Sequence, residues 1–194
     1  PKQIIKHVLA RYDEPWRFYH NRSHFNDLIS NLLAANADGV KIQDGVAAVG
    51  FCAWHDSIYD PQAAHGRNEM LSALLCENEM PSVAPMASVH AAKTTILATI
   101  GHWLPNSNVS PDGALLLDID LSILGGDRDK FDNYNANIRM EYQHVGEQKY
   151  REGRARVLET FLSRERLFLT EWAHSKWEER ARENLTRARE ELKT

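Results

Sequence analysis

The sequence predicts an all-α fold, and three observations carry that prediction. Apolar residues recur three and four positions apart along nearly the whole chain, no segment alternates strictly for long, and proline and glycine fall between the periodic stretches. At 194 residues the chain suits a single domain over residues 1–194, a compact multi-helix bundle large enough to bury a continuous core without disulfides or a stapling metal. Any metal it holds is therefore expected to serve chemistry and not folding.

Taken in order, helices are expected over 2–11, 22–35, 45–58, 66–78, 87–103, 116–124, 128–145, 147–163 and 174–192. Phe25, Leu28, Ile29, Leu32 and Leu33 form one apolar stripe. The segment Gly45–Ile58 is apolar on nearly every face and is expected to lie in the centre. Its only strongly polar residues, His55 and Asp56, stand near its C-terminal end. Pro61, Pro81, Pro85, Pro105 and Pro111, with Gly66 and Gly113, mark loops or their edges, and the longest loop is expected over Leu104–Gly113. Trp177, Ala181, Leu185, Ala188 and Leu192 make a second stripe, on a C-terminal helix over about 174–192 whose opposite face is charged. That stripe can dock on the domain or on a second subunit, so a homodimer is one expectation.

Composition narrows the function classes. The net charge of −4 is modest, and Lys and Arg are dispersed except over Lys149–Arg166 and the C-terminal segment, so nothing calls for a nucleic-acid partner. Cys52 and Cys76 sit in apolar helical patterns without metal-ligand spacing, and read as small core residues in a reducing compartment. There is no apolar run of the roughly eighteen residues that a membrane span needs, and no apolar signal segment at the N-terminus. A cytoplasmic protein without a membrane partner is expected.

A lone histidine on an apolar helix is usually a satisfied core residue. Asp56 alters that reading, because a carboxylate at the end of a fully apolar helix buries a charge at a cost of several kcal/mol unless something positive compensates it. A divalent cation does so, since imidazole and carboxylate are common ligands of first-row metals. Consecutive helical residues point about 100° apart, so His55 and Asp56 can share only an ion lying beyond the helix edge. Further ligands must come from neighbouring helices, with His24, Asp118 and Asp120 as candidates.

The order His24, then His55-Asp56, then a distant Asp followed by Leu resembles the H…HD…D signature of the HD-superfamily phosphohydrolases. The surrounding words sharpen the likeness: Tyr19-His20-Asn21-Arg22-Ser23-His24, Ala53-Trp54-His55-Asp56-Ser57-Ile58-Tyr59-Asp60, Asn68-Glu69, Leu117 to Gly125, Ile138-Arg139-Met140-Glu141-Tyr142 and Tyr150-Arg151-Glu152-Gly153-Arg154. Together these words are similar to a bacterial group of metal-dependent HD phosphohydrolases, a likeness that covers roughly residues 10 to 186.

The resemblance implies hydrolysis of a phosphoester, of a nucleotide or small phosphorylated metabolite, by water activated on a divalent ion (Mn, Fe, Co, Ni, Zn or Mg). It implies His24, His55, Asp56 and Asp120 as metal ligands. The family word, often Asp-Ala-Asp before Leu with the second Asp ligating, favours Asp120 over Asp118. Asp118 is then left to cap the helix, accept a hydrogen bond from a ligand, or manage protons. Related nucleotidases often carry a Glu three residues after the HD pair, where this chain has Tyr59, so Glu69 is the substitute acid or base. Its alternative role is that of a first-turn acid favoured by the helix dipole.

Candidate substrate contacts are His20, Asn21, Arg22, Tyr59, Asn68, His102, Arg139 and Arg154, with Tyr19 as a further wall residue. Arg suits phosphate because it offers two parallel donors, while Lys149 and Arg151 read as partners of surface acids. On a regular helix His90 and His102 would point about 120° apart and about 18 Å apart along the axis, so they cannot share an ion.

Two other readings compete. Glu141-Tyr142-Gln143-His144 and Glu171-Trp172-Ala173-His174 are E-x-x-H words of the di-iron four-helix-bundle type. The 26 residues between His144 and Glu171 are too few for the additional helix that such a site needs. The other is a non-catalytic HD-fold module that binds a nucleotide or a partner, against which the intact ligand set argues.

Overall fold

A computed structural model describes residues 2–102 and 109–193. Among the described residues there are nine α-helices and no strand. They are α1 (Lys2–Arg11), α2 (Arg22–Ala37), α3 (Gly45–Trp54), α4 (Arg67–Glu79), α5 (Met86–Ala98), α6 (Pro111–Asp120), α7 (Arg128–Glu141), α8 (Glu147–Leu162) and α9 (Glu171–Glu191). Short 3₁₀ turns follow α4, α5 and α6, the last over Leu121–Gly125. No helix among the described residues is long and apolar enough to cross a membrane. The helices pack as two compact units, residues 1–119 and residues 120–194.

In the first unit α3 touches α1, α2, α4 and α5, and its Phe51, Cys52, Ala53 and Trp54 are buried. Its partners come close because Gly50 has no side chain: a Cβ there would sit 2.4 Å from Met80 Cε and 3.4 Å from Ala92 Cβ. The expectation of burial on every face is corrected at Val46 and Val49, which are 48% and 47% exposed.

The helix also ends four residues before the predicted Ile58. Ser57 donates to the Trp54 carbonyl from both its backbone N (3.1 Å) and its Oγ (2.8 Å), closing a tight turn. The Ile58 backbone N then donates to Ser72 Oγ on α4 at 3.0 Å. Residues 55–58 therefore bend toward α4 in place of a further helical turn.

Helix α6 begins five residues before the predicted 116. Ser110 Oγ accepts from the Gly113 backbone N at 3.0 Å, and Pro111 takes the first helical position, where its missing N–H is not needed. Trp103 and the first residues of the expected loop, Leu104–Asn108, lie outside the described residues. Asp112 in turn accepts from the backbone N of Gln43 (2.9 Å) and of Asp44 (2.8 Å), and Asp44 caps α3 through the Ala47 backbone N. The N-terminal ends of α3 and α6 are thus tied together, and their C-terminal ends carry His55 and Asp120.

In the second unit α9 packs on α8 and on the Leu121–Gly125 turn. Trp177, Ala181, Leu185 and Ala188 are buried within this unit, so the second stripe finds its cover in its own chain. Asn184 Nδ2 donates to the carbonyls of Leu124 (2.9 Å) and Gly126 (3.0 Å). Gly125 allows the close approach, since a Cβ there would meet Trp177 Cβ at 2.5 Å and the Trp177 carbonyl oxygen at 2.7 Å. Glu178 accepts from the backbone N of Leu167 (3.0 Å) and of Phe168 (3.2 Å), fixing the segment before α9.

Candidate metal centre

His24 is the third residue of α2, and its position is set by Asn21. Asn21 Oδ1 accepts from the Ser23 backbone N at 2.8 Å, capping the helix, while its Nδ2 donates to the Phe18 carbonyl at 2.8 Å. His55 is the residue that closes α3, and its ring stacks on Phe51 one turn earlier with centroids 5.0 Å apart. Both imidazoles are buried, at 4% and 2% exposure. Their Nε2 atoms face each other at 3.1 Å. Asp56 Oδ2 lies 2.9 Å from His55 Nε2 and 3.5 Å from His24 Nε2. From the last turn of α6, Asp120 joins the two histidines in a group whose ligand atoms all lie within 4.8 Å of one another.

This donor set fits a cation. His55 Nδ1 lies 3.3 Å from the Cys52 carbonyl oxygen, which can only accept, so Nδ1 carries the hydrogen and neutral His55 presents a lone pair at Nε2. That lone pair faces a carboxylate oxygen at 2.9 Å, an unfavourable pairing of two acceptors unless positive charge stands between them. Two nitrogens each about 2.0–2.1 Å from one ion, at octahedral or tetrahedral angles, would be about 2.8–3.4 Å apart. The observed 3.1 Å lies in that range. Without an ion the positive charge comes from protonated imidazole: burial pushes the Asp56 carboxyl up, but charge on His55, through its hydrogen bond, and on His20 and His24 outweighs burial and holds the group well below the usual carboxylate range.

The early end of α3 frees Asp56 from the helical direction of its neighbour His55. Asp56 lies in the turn beyond the helix, and its side chain folds back over the His55 imidazole. One residue that the sequence analysis did not single out holds this turn. Arg17, with a fully buried side chain, donates to the carbonyls of Asp56 (2.7 Å), His20 (3.0 Å) and Ser57 (3.3 Å), and to Glu14 Oε2 (2.8 Å). It thereby joins the segment before α2 to the segment after α3. The available signal was a single arginine between Trp16 and Phe18, directly ahead of the Tyr19–His24 word.

Of the expected wall residues, His20 and Tyr59 stand beside the centre. Their rings stack at 4.3 Å, and His20 lies 5.9 Å from the His24 ring. Tyr19 packs on His24 at 4.9 Å. Tyr59 is 9% exposed, with the Arg17 guanidinium 5.4 Å from its ring.

Other expectations meet a different use. The Asn21 amide is committed to the cap just described. Arg22 is exposed and forms a two-point ion pair with Asp13, one contact being 2.7 Å. Asn68 bonds both the backbone N (3.1 Å) and the carbonyl (3.0 Å) of Asp60, so it shapes a turn. Glu69 is a first-turn acid of α4 and is not in the ligand group. Asp118 is buried on α6 at 1% exposure and is likewise outside that group. His102 closes the 3₁₀ turn after α5.

Arg139 and Arg154 belong to the second unit. Arg139 pairs with Glu147 at 3.1 Å and donates to the Tyr142 carbonyl at 2.9 Å, while Arg154 donates to Asn135 Oδ1 at 2.7 Å. The E-x-x-H words form no metal group among the described residues: Glu171 pairs with Arg166 at 2.6 Å, and His174 contacts Glu178 at 3.2 Å.

Comparison of the chain with protein-family models, with curated proteins and with solved structures finds no match in any of the three.

Proposed function

We propose that this chain is a metal-dependent phosphohydrolase of the HD type, acting on a phosphoester of a nucleotide or small phosphorylated metabolite. The observation that carries the reading is the facing pair of buried imidazole nitrogens, His24 and His55, 3.1 Å apart, with Asp56 and Asp120 supplying carboxylates around them. These four residues would hold the ion. A bound divalent cation supplies Lewis acidity toward a phosphoryl oxygen and a water of lowered pKa.

The protein's own residues do the remaining work. His55 is kept in the ligating tautomer by the Cys52 carbonyl, and Asp56 sets a carboxylate oxygen 2.9 Å from its Nε2. Arg17 fixes the backbone on either side of Asp56, so the carboxylate is presented without reorganisation. The stacked pair His20–Tyr59 forms a wall beside the centre, with His20 as a donor to a phosphoryl oxygen. Glu69 and Asp118, both outside the ligand group, are the groups kept for holding a proton, Asp118 being buried two residues before Asp120.

The test is a phosphatase assay of wild-type protein with Mn, Co, Ni, Mg or Zn over nucleotides and sugar phosphates, alongside Asp56→Ala and His55→Ala. Turnover that needs metal and is lost in both variants, with helical content retained, supports the reading. Tight nucleotide binding with no turnover under any metal replaces it with a binding module.

A further inference from the structure

The second unit contains a cavity of about 290 Å³ between α7, α8 and α9, lined among others by Asn135, Arg139, Tyr150, Arg154 and Leu158. Its charges do not balance locally. Glu147 is matched by Arg139 at 3.1 Å, and Glu191 by Arg187 at 3.2 Å. Arg154 has no carboxylate partner among the described residues. Its neighbours are neutral: Asn135 Oδ1 at 2.7 Å, and Tyr134, which accepts a hydrogen bond from the guanidinium and whose ring lies 5.2 Å from the guanidinium carbon. A guanidinium stays charged at any accessible pH, and this half-buried one has hydrogen-bond acceptors but no counter-ion.

Two further donors line the same space. Asn135 turns its oxygen to Arg154, which leaves its Nδ2 hydrogens available, and none of them has a partner among the described residues. Tyr150 also lines the cavity. Its phenol has no hydrogen-bond acceptor among the described residues, and its ring lies under Arg139 at 4.6 Å. One cation without a counter-charge, an amide N–H₂ and a phenol O–H thus border one cavity whose acids are already paired. An anion with several acceptor oxygens satisfies all three, and a guanidinium can grip such a group at two oxygens.

We propose that this cavity of the second unit is a binding site for a tetrahedral oxyanion, a phosphate either free or carried on a small metabolite, with Arg154, Asn135 and Tyr150 as its donors. The site is formed wholly by α7, α8 and α9 and does not depend on the metal centre. It gives Arg154 the anion-binding role expected from its sequence word, at a place of its own.

The experiment is isothermal titration of the full chain with inorganic phosphate and, separately, glycerol phosphate, with a chelator present throughout. Saturable binding of one equivalent is expected, weakened at least tenfold in Arg154→Gln and unchanged in His55→Ala. Tighter binding of glycerol phosphate than of phosphate identifies a phosphorylated metabolite as the ligand, and equal binding identifies the free ion. Asn135→Asp is the second variant: it sets a carboxylate beside Arg154, so it should abolish phosphate binding while keeping or raising the melting temperature. No saturable binding to wild type, binding that survives both Arg154→Gln and Asn135→Asp, or binding lost in His55→Ala overturns the proposal. Because no metal is present, failure here leaves the metal-dependent assay as a separate result.

Discussion

Arg17 Nη1 donates to the backbone carbonyl of Asp56 across 39 residues of sequence, at 2.7 Å. The same guanidinium reaches the carbonyls of His20 and Ser57, so one cation orders two of the segments that flank the candidate metal ligands. Arg17→Met should destabilise the protein by about 3–5 kcal/mol, because several charge-assisted bonds are lost and Glu14 loses its partner. Metal affinity should fall about 10- to 100-fold, as when a group that orients a ligand is removed. Urea denaturation and metal titration check the two parts; a variant with unchanged affinity for metal would deny Arg17 its positioning role.

The two acids at the end of α6 should separate cleanly. Asp120→Asn removes a ligand and should lower manganese affinity by at least tenfold. Asp118→Asn should leave the stoichiometry of one ion intact and act instead on stability or turnover, since Asp118 is buried outside the ligand group. Titration calorimetry of both variants decides, and a reversed result would exchange the two assignments.

Glu178 predicts a pH dependence of stability in the second unit. Burial raises its pKa, but the backbone N–H groups of Leu167 and Phe168, with Arg182, outweigh burial and bring it below the ordinary value. A depressed folded pKa means that the unfolded state binds more protons in the intervening window. The contribution is therefore complete above the unfolded value of about 4.3 and is lost as pH falls through the folded value. Glu178→Gln should be about 1–3 kcal/mol less stable at neutral pH, with the difference from wild type shrinking below pH ~4. Denaturation midpoints across that range measure it; a difference independent of pH would contradict the assignment.

Glycine-to-alanine substitutions should differ by what the added methyl meets. At Gly125 it meets the Trp177 backbone, with the carbonyl oxygen at 2.7 Å and Cα at 2.9 Å, and backbone cannot step aside. At Gly50 the closest atoms are the flexible end of Met80, at 2.4 and 2.7 Å. Gly125→Ala should cost about 2–3 kcal/mol or more, and Gly50→Ala about 1 kcal/mol. Melting temperatures of the two variants give the order, and the opposite order would refute it.

The fold class and most elements were legible because their signals are local. The stripe Trp177–Ala181–Leu185–Ala188 repeats at helical spacing, and its burial follows. Element ends were less legible. An apolar residue recurs one turn beyond Trp54, at Ile58, yet α3 stops at Trp54, because Ser57, Ser72 and Arg17 capture the backbone polar groups that a further turn would use. The early start of α6 had a readable signal in Ser110-Pro111 that apolar periodicity alone passes over. His24, His55 and Asp120, which the structure brings together, were readable because their order, with Asp56, resembles a known signature. Arg17 was not, since its partners are mostly carbonyls, which carry no side-chain identity. Asn21, Arg22 and Asn68, which lie inside the same words, cap a helix, pair with Asp13 and shape a turn, roles set by partners that no local pattern announces.

The most direct test of the metal centre is an anomalous-difference map from crystals grown with manganese. One peak within about 2.3 Å of Nε2 of both His24 and His55, with Asp56 and Asp120 oxygens completing its neighbourhood, is the predicted result. Density showing the two imidazoles and Asp56 joined only by hydrogen bonds at saturating manganese, with no peak between them, would contradict it.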